Sequence, residues 1–434
     1  MVRVVTKGLI NENFRELYNE LKLNDSMKMK MKKIDIAVLI AVLLVASIFF
    51  YKAGYIPPSP PPKPLPPVPP EGNETVAEKV PTPPSSFIMP SRRAITSDDE
   101  GCHYKSLLIN REWWYFSAIF DSEDSELKDW GIVVSFKHLA YGDLFGELKP
   151  DVLTVVLFDD KGNVYGGVIN ERRGTLDATS PGVDLKFKNS WAQGEYPRWH
   201  LHAETRDVGD DHRIVIDLDY EAHHLPIWVY DTRLFNKSKS KLASYVILGC
   251  NVSGKIKMDG KTYVVEGTGF HEHSWSPTYI RKWMIDGWDW IQLKLENGWI
   301  IYISKFYPPS NLLSKISPFG KIILTPDGES ITEFRTFSVD TKSKEKIFLF
   351  TKFPARFSIS AKKTHNILLE RIDLKLNIEI ETTSTFQKVW KFPTYVGFKM
   401  GGCKATGTIS WLEDGEEVSL DLSGTGTIWT TRLL

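Results

Sequence analysis

Residues 267–304 read GTGFHEHSWSPTYIRKWMIDGWDWIQLKLENGWIIYIS, and their pattern decides the kind of fold the rest of the chain must form. In the second half Trp288, Trp290, Gln292 and Lys294 alternate with Asp289, Ile291, Leu293 and Leu295. Glu296-Asn297-Gly298 then turns the chain, and residues 299–303 run back, which predicts a β-hairpin. The first half ends a strand-like run (263–269) with His271-Glu272-His273-Ser274-Trp275. Alternate side chains of a strand share a face, so His271, His273 and Trp275 are expected on one side and Glu272 on the other. Such a polar and aromatic row suits the wall of a pocket better than a solvated surface.

The same punctuation recurs outward from this stretch. Turn pairs at Asp259-Gly260, Asn297-Gly298, Asp327-Gly328 and Asp414-Gly415 separate short runs rich in β-branched and aromatic residues, among them 131–138, 152–158, 213–220, 321–325, 374–381 and 404–411. Beyond residue 90 no amphipathic helix of three turns is legible, so the expected class is all-β, closed into barrels or sandwiches that leave few exposed edges. Two halves are suggested by Gly267-Thr268-Gly269 and Gly424-Thr425-Gly426, each preceded by a turn and a strand. Four consecutive aromatics in Glu112-Trp113-Trp114-Tyr115-Phe116 cannot all face one core, so two must face a cavity or a neighbouring domain.

With 434 residues, 42% hydrophobic, 25% charged and zero formal net charge, the chain has the composition of an ordinary globular protein large enough for two domains. No long basic run or net positive field is present, which argues against nucleic acid as a partner. Aromatic residues, at 12%, suit sheet surfaces and apolar cavities. Cys102, Cys250 and Cys403 form no CxxC pair, leaving either one disulfide and a free thiol or three unpaired buried thiols.

Residues 1–35 are polar and end in Lys28, Lys30, Lys32 and Lys33. The apolar run that follows, 36–56, is long enough to cross a bilayer, and the basic flank predicts an N-terminus in the cytoplasm with the rest outside. A cleaved signal peptide starting at Met27, Met29 or Met31 is the competing reading. Residues 57–90 begin PPSPPPKPLPPVPP, a polyproline II stalk of about 40 Å over its first fourteen residues, and carry the sequon at Asn73.

Taken together, Glu112 to Tyr115, the Gly-x-Gly-Phe-x-x-His-x-Trp element ending at Trp275, and Gly287-Trp288-Asp289-Trp290 resemble the AttH and carotenoid-hydratase (CrtC) family over residues 91–434. The resemblance implies two lipocalin-like antiparallel β-barrel domains in tandem, 91–275 and 276–434. It implies no cofactor. By the same resemblance His273, Trp275 and Asp289 are the catalytic candidates. Glu112, Trp113, Trp114, Tyr115, His271, Trp288 and Trp290 are ligand-binding candidates. Gly287 stands where the hydratase has a tyrosine.

The expectation is a single-pass, membrane-anchored, extracytoplasmic protein that binds a hydrophobic small molecule, an isoprenoid or a lipid. The alternative is a cofactor-independent hydratase, isomerase or hydrolase with a protonated Asp289 as acid and His273 as its partner. A scaffold whose pocket is filled by its own side chains is the third. No metal is expected: His271-x-His273 lacks the helical HExxH spacing, and Pro277 and Thr278 stand where a cupin-type glutamate would be. His200, His202, His223 and His224 are expected as surface or packing residues, and the absence of a Gly-x-Ser-x-Gly elbow disfavours a serine hydrolase.

Overall fold

The computed structural model describes Pro81 and residues 94–433, apart from 107–109, 124, 140–146, 207–211, 232–242, 278–285, 308–318, 329, 349–350, 368–369, 391–395 and 414. The cytoplasmic segment and membrane anchor expected at 1–56 lie outside the described residues, as does the proline-rich linker apart from Pro81. Among the described residues no helix is long and apolar enough to cross a membrane.

A one-turn helix, α1 (Ser97–Glu100), precedes the strands and is held by a capping box between Thr96 and Asp99. The alternating runs then fold as β1 (Asn110–Phe120), β2 (Gly131–His138), β3 (Asp151–Phe158) and β4 (Val164–Glu171). They continue as β5 (Leu176–Ala178), β6 (Val183–Phe187), β7 (Ser190–Glu195), β8 (Arg198–Arg206) and β9 (Arg213–Glu221). The first sheet is completed by β10 (Ile227–Asp231), β11 (Ala243–Met258) and β12 (Lys261–Pro277). Its hydrogen-bonded order is β4-β3-β2-β1-β12-β11-β9-β8-β7-β6-β5, with β10 beside β11, and the pairs are antiparallel.

The second sheet takes β13 (Gly287–Leu295), β14 (Ile300–Tyr307), β15 (Phe319–Thr325), β16 (Thr332–Phe334), β17 (Phe337–Phe348), β18 (Thr351–Ile367), β19 (Glu370–Trp390), β20 (Val396–Glu413) and β21 (Glu416–Leu433). Its order, β16-β15-β14-β13-β21-β20-β19-β18-β17, repeats the plan of the first: a four-strand meander whose first strand is joined by the last strand of a long hairpin. The two Gly-Thr-Gly triplets occupy the same place in it. Gly267 and Gly269 face Phe120 and Ala118 of β1, and Gly424 and Gly426 face Leu295 and Leu293 of β13. The reason is steric, since a Cβ on Gly267 would meet the Ile119 carbonyl at 2.1 Å and one on Gly426 the Gln292 carbonyl at 1.9 Å.

Both sheets curl on themselves; β4 meets β8 across the first interior and β16 meets β18 across the second. The sheets curl without closing into the expected barrels: among the described residues no ladder joins β4 to β5 or β16 to β17. The edges are protected differently. β5 and β16 are only three residues long, and β17 carries exposed Asp340, Lys342 and Lys344, which discourage pairing.

Each interior has its own apolar core, the first built on Trp114, Phe116, Trp199 and Tyr245, the second on Ile291, Leu293, Ile359 and Ile378. Two further clusters join the sheets: Tyr115, Val133, Phe398 and Trp429 in one, Phe270, Ile300 and Tyr302 in the other. This is why β2 and β3 are buried along both faces instead of alternating. All three cysteines are free thiols. Burial pushes the Cys102 and Cys250 thiols up to about 12, so neither is a nucleophile at neutral pH.

Candidate functional site

Strand alternation distributes the residues singled out in the sequence among three places. Glu112, Trp114, His271, His273 and Trp275 point into the first interior, and Trp113, Tyr115, Trp288 and Trp290 point to the opposite side of their strands. Asp289 shares the face of Ile291 and Leu293 and points into the second interior. His273 and Asp289 therefore belong to different clusters and have no partner in common among the contacts described below.

The first cluster is built where α1 and the segment after it cover one end of the first sheet. Glu112 and His273 are wholly buried. One carboxylate oxygen of Glu112, Oε1, lies 2.7 Å from His273 Nε2 and 2.8 Å from His103 Nδ1. The other, Oε2, accepts from the backbone N–H groups of His103 at 2.8 Å and Tyr104 at 2.7 Å. His273 Nδ1 donates to the Asp99 carbonyl at 2.9 Å, so Nε2 and Oε1 share a single further proton. Burial alone would raise the Glu112 pKa, but the hydrogen bonds from His103 and His273 outweigh it and hold the carboxyl at about 2. Burial pulls His273 the opposite way, toward its neutral form, so the shared proton is contested.

Aromatic rings enclose this centre. Trp114 stacks on His273 at 4.6 Å and Trp275 on His103 at 3.9 Å. His138, directly across from Glu112 on β2, adds a second oriented histidine. Its Nδ1 is 2.6 Å from Asp151 Oδ1, its ring stacks on Tyr104 at 4.1 Å, and its buried Nε2 has no hydrogen-bond partner among the described residues. α1 is tied to the same end: Trp114 Nε1 donates to the Glu100 carbonyl at 2.9 Å, and the Glu100 carboxylate accepts from Trp199 Nε1 at 2.8 Å. His271 stands apart, donating to the Tyr115 carbonyl and stacked on Phe116. Burial lowers its pKa to about 3. His271 and His273 thus share the inward face, as expected, but contact different partners.

In the second interior Asp289 accepts from Arg432 Nη1 at 2.9 Å and from the Tyr307 hydroxyl, which in turn accepts from Lys305. Burial would raise its pKa, but Arg432 and Lys305 more than compensate and hold the carboxyl below its usual value. This corrects the expectation of a protonated acid, because two cations beside a buried carboxylate stabilise its charge. Tyr307 stands directly across from Gly287 on the neighbouring strand. Counting back from the two Gly-Thr-Gly triplets, Trp114 and Asp289 hold equivalent positions, as do Trp275 and Arg432. Glu112 and Asp289 thus lie two residues apart in this equivalence, at the same end of their sheets.

Between the sheets, Trp113 Nε1 is 3.4 Å from Glu272, whose carboxyl burial pushes up to about 7. Trp290 packs into both inter-sheet clusters, with Trp288 edge-on to it at 6.1 Å. Lys137 is buried there with its ammonium 3.4 Å from the Trp429 ring centre, and burial takes its pKa well below the usual lysine range. None of the described clefts is lined by Glu112, His273 or Asp289. One of about 450 Å³ is lined by Gln193, Arg198, His200, Asp219 and Glu221 among others. There His200 and His202 pair with Asp219 and Asp217, as expected of surface histidines.

Sequence reasoning missed His103, His138, Asp151, Tyr307 and Arg432. A polar Lys137-His138 ending an otherwise apolar run was the available signal for His138; His103 carried none, because only tertiary folding brings its loop to β12.

Two curled antiparallel sheets in tandem, each with a buried carboxylate, place the chain in the lipocalin-like class to which the motif resemblance pointed. The chain belongs to the family defined by a domain of unknown function (DUF7064), whose model matches residues 171–414. Among solved structures, an AttH-designated protein from Nitrosomonas europaea is 15% identical, with a TM-score of 0.50 over 80% of this chain and 99% of that one. CghA is 12% identical, with a TM-score of 0.49 over 81% and 94%. Kievitone hydratase from Nectria haematococca is 10% identical, with a TM-score of 0.48 over 80% and 93%. At such identities the likeness concerns fold alone, and the AttH structure carries it. The sequence matches no curated protein at a significant level.

Proposed function

We propose that the protein binds an apolar small molecule, an isoprenoid or a lipid bearing one polar group, at the end of the first sheet covered by α1. One observation carries this reading: His103, Glu112, His138 and His273 form a polar row set among Trp114, Trp275 and Tyr104, with His103 partly open to solvent. Apolar sites with a few convergent polar groups are the common architecture of ligand recognition. The full chain, extracted mildly with its lipids, is expected to retain a bound apolar molecule in native mass spectrometry. Trp275→Ala should weaken uptake of a fluorescent polyene fatty acid about tenfold, or about 1.4 kcal/mol. Failure of the wild type to take up any apolar probe would sink the proposal.

A second reading, proton-transfer catalysis of the hydratase or isomerase kind, is favoured by His138. Asp151 orients its ring and leaves Nε2 facing inward, the arrangement of a general base. His138→Gln should then abolish turnover while probe binding persists; unchanged turnover would remove His138 from that role.

The proposal also includes a single-pass anchor at 36–56 and sheets held outside the cell on the 57–90 stalk, supported by the Lys28 to Lys33 flank and the apolar run after it. Protease added to intact cells should release the folded sheets; protection of the whole chain would contradict that topology.

A further inference from the structure

We propose that His103, Glu112 and His273 form a site for one divalent transition-metal ion of the kind zinc represents. The ligand atoms of the three residues, two imidazole nitrogens and one carboxylate oxygen, all lie within 4.8 Å of one another. Each ligand is held from behind. The Asp99 carbonyl fixes His273 with Nε2 facing inward, and the backbone N–H groups of His103 and Tyr104 hold Glu112 with Oε1 facing inward. Such outer hydrogen bonds are what orient metal-ligating histidines and carboxylates. Because His273 Nδ1 donates to a carbonyl, Nε2 and Oε1 are two electron-pair donors 2.7 Å apart, and a positive centre must lie between them. One metal ion would meet all three ligand atoms at once, whereas without it each histidine contact to Oε1 takes a proton of its own.

Two histidines and one glutamate are a zinc set that leaves a fourth position for water or an oxygen of a ligand. The stacked rings of Trp114 and Trp275 shield the centre, and His103, with 24% of its side chain exposed, marks the side from which an ion would enter. The inference stands apart from the apolar-ligand reading, since ion binding requires no ligand.

The test uses the full chain without an affinity tag, stripped with a chelator and dialysed against Zn²⁺, with Co²⁺ as a spectroscopic substitute. The wild type should take up about one ion per chain and show the visible bands of low-coordinate Co²⁺. His103→Gln should weaken binding by about 100-fold or more, since losing a ligand exceeds the 10–100-fold typical of outer partners. Its partial exposure makes it the decisive position, because its replacement spares the core; circular dichroism checks this. Replacing the solvent-facing pair, His200→Ala with His202→Ala, should leave binding unchanged. Absence of a stoichiometric ion in the wild type, or undiminished binding by His103→Gln, overturns the inference. Probe uptake by the chelator-treated protein tests the ligand reading separately.

Discussion

Glu100 and Asp289 show how neighbours decide what a buried carboxyl does. Burial pushes the Glu100 carboxyl up to about 7, against hydrogen bonds from Tyr196 and Trp199 that oppose it. The folded chain therefore holds that proton more tightly than the unfolded chain, whose value is 4.5. The resulting stability is present in full below pH 4.5 and is lost as pH rises through about 7. Glu100→Gln should flatten the urea midpoint across this window, removing a pH-dependent change of up to roughly 3 kcal/mol. Asp289 is the opposite case, its charge held by Arg432 and Lys305. Arg432→Met leaves that carboxylate buried with half its support and should cost on the order of 3–5 kcal/mol in urea denaturation. Asp289→Asn, which leaves two cations facing each other, should cost no less. A variant at Asp289 with wild-type stability would show that the ion pair is dispensable. Neither environment was legible in Gly-Trp-Asp-Trp, because Arg432 lies far along the chain and reaches Asp289 only through the pairing of β13 with β21.

Among the elements, the long strands carry the clearest trace of the sequence pattern. The hairpin read from residues 288–303 is β13 and β14, turning at Gly298 with φ +82, and Asp259-Gly260 turns with φ 52 and 86 as a type I′ pair requires. The run read at 374–381 is only the middle of β19, which extends over Glu370–Trp390 with a bulge between Thr382 and Thr385. Its ends were illegible because a curling strand changes neighbours along its length and so breaks simple alternation. Gly-Thr-Gly proved informative for a steric reason. Gly426→Ala places a methyl against the Gln292 carbonyl and should destabilise the protein by roughly 1–3 kcal/mol, read from the urea midpoint. Gly162→Ala, where no atom stands within 4 Å, provides the comparison for the backbone strain of a positive φ alone.

At the scale of the whole molecule, the two sheets share buried surface rather than a flexible joint. Ser117 of β1 donates to Gln292 of β13 at 2.7 Å, and Thr427 of β21 lies 3.3 Å from the same oxygen. Tyr115, Phe398 and Trp429 pack around them, with Lys137 set against the Trp429 ring. Unfolding followed by tryptophan fluorescence and by far-ultraviolet circular dichroism should therefore give coincident transitions. Gln292→Ala should lower both together, by about 1–3 kcal/mol, because Ser117 and Thr427 lose a buried acceptor. Two separated transitions in the wild type would mean that the seam does not couple the sheets.

The amino-acid order alone determined the all-β class, the hairpins, the division into two related halves and the face on which each residue of His271 to Trp275 lies. Those properties follow from turn chemistry and from a period of two along a strand, both local. Only tertiary structure decided which buried groups meet. It brought His103 and the Asp99 carbonyl to His273, set Asp151 against His138, and gave Asp289 an arginine instead of an apolar pocket. Charge and proton placement depend on distances of a few ångströms between residues hundreds of positions apart, and no periodicity encodes them.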